Sequence, residues 1–228
     1  MRQNFPETVT TGGPTPVTQE GANPAGVEWY FVLALTVWAA VAFVAAAGGA
    51  FESLPLPALP GLVFVGVAGP VALYYSRPDF RAYVRSIPPK HLTLFHVWRV
   101  PAGLAFLHYG SNGWLPETFV RNAGYGDIAI GLAVPLVLLL PAGRGKYLAF
   151  HALGLLDFAV AVGTGFAFSL LAMPLMENIL TYPIVLIVAF GVCVTGALHV
   201  MTLDALLRTP RGTAARLGRR ELQGVGRE

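Results

Sequence analysis

Five side chains could do chemistry in a chain that is otherwise close to hydrocarbon: His96, Arg99, His151, Asp157 and His199. Arg99 lies in the middle of HLTLFHVWRVPAGLAFLHYG, residues 91–110, a run long enough to cross a bilayer. A permanent charge at that depth costs at least a few kcal/mol to insert, so it turns inward and takes a partner. Asp157 is the candidate partner, and the pair would either fix helix registry or poise a site. The imidazoles allow two further chemistries. Neutral rings ligate a transition metal or haem, and rings that gain and lose protons can relay them.

The hydrophobic runs determine where these groups sit. The chain is 55% hydrophobic and 12% charged, with mean hydropathy +0.61, whereas soluble domains carry about 25% charged residues. About 20 apolar residues span a hydrocarbon core about 30 Å thick. On that measure the sequence predicts an all-α, polytopic membrane bundle of six transmembrane helices at 27–49, 58–76, 91–110, 123–141, 146–171 and 179–206. Aromatic residues mark span ends: Trp29 and Tyr30, Tyr74 and Tyr75, His108 and Tyr109, then Tyr125, Tyr147 and Tyr182. The domain plan is a disordered polar segment (1–26), the six-helix domain (27–207) and a basic tail (208–228). The first segment lacks the basic start of a signal peptide, and the apolar run that follows reads as an uncleaved anchor. Cys193 is the single cysteine, so no disulfide forms within one chain.

Basic residues set the orientation. Arg77, Arg81, Arg85, Lys90, Arg144 and Lys146 lie in the second and fourth connections, and six arginines from Arg208 onward lie in the tail. The alternate connections hold only Arg121. Twelve against one predicts cytoplasmic termini in a membrane of the bacterial plasma (inner) type. The bilayer is then the main partner, and nothing points to nucleic acid. The tail's charge reads either as a topology signal or as a contact for anionic lipid. Residues 79–87 read either as a solvated loop or as a short surface helix with Arg81 and Arg85 one turn apart.

Helical rise converts position into depth. His96 lies about 7 Å and Arg99 about 12 Å inside the cytoplasmic face, His151 about 7 Å, Asp157 about 16 Å and His199 about 10 Å. Three histidines from three helices thus share one layer, and Arg99 and Asp157 are level enough to pair. His108 and Asp127 fall in the opposite half as a secondary polar site. Pro101 removes the donor for the Val97 carbonyl, placing a kink beside His96 and Arg99. Gly154, Asp157, Ala161 and Thr164 form one small-residue stripe, and Gly124, Asp127 and Gly131 another, both suited to close helix packing. His151 lies about 100° from the centre of the first stripe, so it need not share the partner of Asp157.

Familiar motifs are missing: no GxxxxGK[ST] loop, no HExxH helix and no GxSxG elbow occur. A Phe-His pair recurs at 95–96 and 150–151, a faint echo of duplication. Three functional readings follow. The histidine layer binds haem or a transition metal, with Arg99 near an anionic group. Alternatively, Arg99, Asp157 and the histidines line the path of a small carrier or channel. In the third reading the polar groups only hold helices together in a non-catalytic accessory subunit.

Overall fold

A computed structural model describes residues 24–208, so most of the expected polar N-terminal segment and the tail beyond Arg208 lie outside the described residues. Those residues form helices and turns, without strands. The helices are α1 (Pro24–Ala47), α2 (Ala58–Ser76), α3 (Pro78–Ser86), α4 (Pro89–Leu94), α5 (Arg99–Ser111), α6 (Glu117–Val120), α7 (Gly126–Leu139), α8 (Arg144–Leu170) and α9 (Cys193–Arg208). Five helical stretches are long and apolar enough to cross a membrane: Glu28–Ala47, Ala58–Ser76, Glu117–Leu139, Arg144–Leu170 and Ile187–Arg208.

The run around Arg99 is helical throughout but not as one regular helix. α4 passes into a 3-10 turn, Phe95–Trp98, before α5 begins at Arg99. Pro101 explains the break. It has no N–H for the Val97 carbonyl, so the preceding turn tightens to the shorter 3-10 repeat while Pro101 occupies the first turn of α5, where it costs little.

Three boundaries differ by three residues or more from those read off the sequence. α1 starts at Pro24, inside the segment assigned as disordered. The fourth predicted span starts at Glu117 rather than 123, and a π-helical turn, Arg121–Tyr125, joins α6 to α7. The last starts at Ile187 rather than 179, through a second π turn, Ile187–Val192. Residues 179–186 instead contain the end of a 3-10 turn and Pro183, which disfavours helical backbone just before it.

Burial identifies the central element. In its most apolar window the last stretch is 67% buried, against 11–28% for the other four, so the others surround it. Their outward faces carry Val41, Phe64, Leu136, Leu139 and Leu156, all exposed. That is a poor surface for water and a good one for lipid. Glycines allow the closest approaches: a Cβ at Gly103 would strike the Gly124 carbonyl and Ile128, and one at Gly131 would strike Val100. α5 and α7 therefore pack nearly backbone to backbone, which sets Arg99 of the one beside Asp127 of the other.

Of the two readings of 79–87 the helix holds, as α3 over Pro78–Ser86 with Ile87 already extended, and α3 is not a free basic loop. Phe80 and Val84 are buried, and Arg85 donates to the Tyr74 hydroxyl at 3.1 Å and to Asp204 at 3.0 Å. Tyr74 donates to the same Asp204 oxygen at 2.8 Å. The hydrogen bond to Tyr74, with help from Asp204, holds the Arg85 guanidinium above its ordinary pKa. This latch ties α2, α3 and α9 together at the end nearest the histidines.

Candidate functional site

Two connected polar groups occupy the middle of the bundle. The first centres on Arg99, whose side chain is 2% exposed. Its Nε donates to Asp127 Oδ1 at 2.6 Å and its Nη2 donates to Asp157 Oδ2. Arg99 is supplied by the start of α5, Asp127 by the first turn of α7 and Asp157 by the middle of α8. With both carboxylates ionised, this trio carries one net negative charge. Gly126 makes it possible, because a Cβ there would overlap the Asp157 carboxylate.

Asp127 is therefore not grouped with His108 in a separate outer site. Because its span begins at Glu117, Asp127 lies six residues deeper than a start at 123 implies, at the level of Arg99. His108 stays apart, with its ring packed edge-on to Trp114 at 5.8 Å and near Tyr109. The rest of the α8 stripe is also occupied. Thr164 accepts from Asn122 at 2.9 Å, and Gly154 leaves the space that the His199 ring fills.

The second group is the histidine cluster. His96, His151 and His199 are each 0% exposed, and one ligand atom from each lies within 4.8 Å of the others, close enough for one metal ion. The His96 and His199 rings stack with centroids 4.1 Å apart and 14° between planes. His151 Nδ1 and His199 Nδ1 are 3.0 Å apart. His151 Nε2 is 3.3 Å from Thr93 Oγ1, and Arg99 Nη1 is 3.5 Å from His199 Nε2, joining the two groups.

Donor rules assign the protons. A guanidinium only donates, so His199 Nε2 accepts. In a neutral ring the His199 proton is then on Nδ1, which donates to His151 Nδ1. The His151 proton falls on Nε2, facing Thr93. Asp157 and Asp127 have no part in this second chain, and His151 bonds with its own partners rather than with Arg99. Neither ring nitrogen of His96 has a hydrogen-bond partner. Leaving such groups buried and unmatched costs about 1–3 kcal/mol each, so an unpaired imidazole calls for an explanation.

Alongside the trio lies a cavity of about 560 Å³, lined mainly by α2, α8 and the last span, with Trp98, Arg99 and Asp127 in its wall. No sequence pattern announces it, since it exists only once the helices are packed. Asp204 was also invisible as a partner for Arg85, since 119 residues separate them.

Residues 56–207 match the family described as "Domain of unknown function (DUF8737)", and the chain belongs to it. The matched region starts just before α2 and contains all of the residues placed in the site. No curated protein and no solved structure matches the chain.

Proposed function

We propose that this chain is an integral membrane protein of six spans whose histidine cluster holds one transition-metal ion. The observation that carries the reading is the convergence of three fully buried imidazoles, one of them with both nitrogens unpartnered. Two nitrogens bound tetrahedrally to zinc at 2.0–2.1 Å lie about 3.3 Å apart, close to the 3.0 Å between His151 Nδ1 and His199 Nδ1, and the metal would replace the hydrogen bond between them, with the His199 proton leaving Nδ1. With Asp127 and Asp157 both ionised, the net negative charge of the trio compensates the Arg99 guanidinium next to His199 and part of the charge of a bound cation. The imidazole rings and Phe150 pack at centroid separations of 4.1–6.3 Å, which favours an ion over a porphyrin slotted between them. Imidazole donors suit zinc, copper, iron or nickel. Three protein ligands with a position left open is the pattern of metal sites that bind and activate a small molecule.

The test is metal content. Protein purified in detergent, loaded with zinc or copper and freed of excess should retain one ion per chain. Alanine at His96, His151 or His199 should bring retention below about a tenth of that. Wild-type protein that emerges empty, or a triple alanine variant that retains the ion, contradicts the reading.

A second reading rests on the hydrogen-bond chain from Arg99 through His199 and His151 to Thr93. Such a chain can move protons. It predicts that the same variants change pH-driven flux into liposomes while the protein binds no metal.

The six-span topology takes residues 89–111 as a membrane crossing despite the 3-10 turn, since they reach about 34 Å at helical rise. The twelve-to-one basic asymmetry then puts the termini in the cytoplasm of a cell with a bacterial-type plasma membrane. Reporter fusions after Gly49, Gly110 and Ala172 should read as outside. A cytoplasmic signal after Gly110 would reject the arrangement.

A further inference from the structure

We infer that the lateral cavity is a binding site for a neutral lipid with a carbonyl oxygen at its head, entering from the bilayer between α2 and α8. The inference rests on membrane insertion but not on a metal in the histidine cluster.

The cavity volume of about 560 Å³ falls in the range of small-molecule sites, about 300–1,000 Å³. Its mouth faces outward: Gly61 and Phe64 on α2, and Gly163 and Phe166 on α8, all line it and are exposed, with Phe64 72% exposed. Along α8 the lining runs from Phe158 to Ser169, about 16 Å at helical rise, so the space is long and nearly all hydrocarbon. A flexible apolar chain fits such a wall.

One polar point selects the head. Arg99 lines the cavity, and a guanidinium has five N–H donors. Asp127, Asp157 and His199 engage three of them, which leaves donors for an acceptor oxygen. Two carboxylates already face this one arginine, so an anionic head would add a third negative charge in low dielectric, whereas a neutral carbonyl adds none. Farther along, Ser169 is 0% exposed, lines the same cavity, and its hydroxyl has no partner. That hydroxyl lies about 18 Å along α8 from Asp157, beside the stretch an apolar chain would occupy, so the head is selected by Arg99 alone. Isoprenoid quinones and acyl glycerides both carry a neutral carbonyl at the head of an apolar chain.

Decylubiquinone and monoolein, titrated separately into the purified full-length protein in maltoside micelles, distinguish the two sources. Binding is read as a saturable rise in unfolding temperature, since a ligand that binds only the folded state stabilises it. Gly163→Leu and Gly61→Leu are the matched variants, because a Cβ at either position meets nothing within 4 Å and the added chain projects into the mouth. Either probe binding to wild type, and at least tenfold more weakly to both variants whose ligand-free unfolding temperature is unchanged, supports the site and names its occupant. Neither probe binding, or affinities equal in wild type and variants, overturns it. Metal retention measured on the same samples stays at its wild-type level, so failure here is separable from failure of the metal reading.

Discussion

Arg99→Leu is expected to destabilise the protein by about 3–5 kcal/mol, the cost of breaking a buried ion pair by removing one partner. The side chain is 2% exposed and its two carboxylate partners are 11% and 15% exposed, so water cannot take over the lost contacts. The change leaves Asp127 and Asp157 facing each other across a hydrocarbon-like interior. The triple variant Arg99→Leu/Asp127→Asn/Asp157→Asn removes the charges together, and it should recover a large part of the loss, because replacing every member of a buried charge network is far less costly than removing one. Unfolding midpoints of purified protein in lipid nanodiscs read both effects. An Arg99→Leu protein within about 1 kcal/mol of wild type would show that the trio is not held as described.

Gly154→Ala should disable the histidine cluster without removing any of its members. A methyl group at this position overlaps the His199 ring. That ring has little room to retreat, since His96 stacks on one face, His151 bonds one nitrogen and Arg99 approaches the other. Positioning groups outside the ligand set of a metal centre typically cost about 10–100-fold in affinity when altered, and a loss of that order is expected here. Gly163→Ala is the control, as its Cβ meets nothing within 4 Å. Equal metal affinity for Gly154→Ala and wild type would mean that the ion binds elsewhere.

Much of this arrangement is legible in the sequence because long apolar helices make height nearly linear in residue number. Hydropathy alone finds the all-helical class, and helical rise places His96, His151 and His199 at one height. The two glycine-containing stripes are visible as spacings, and both lie at helix contacts. Asp127 shows where that ruler fails. The segment Glu117–Asn122 is polar enough to read as loop, yet it belongs to the helical stretch, and the π turn that begins within it at Arg121 also shifts the phase of everything beyond. At the last span the failure has the opposite sign, because the apolar stretch around Pro183 reads as helix while the proline prevents it. The lateral cavity, the seat of His199 on Gly154 and the latch at Asp204 depend on which helices become neighbours. No local pattern encodes that.

The central claim is that one ion is held by three imidazoles, and X-ray absorption at the metal edge of zinc-loaded protein tests it most directly. The account predicts a nitrogen shell at about 2.0–2.1 Å with the outer-shell scattering of three imidazole rings. A shell of oxygen ligands without imidazole scattering would contradict it.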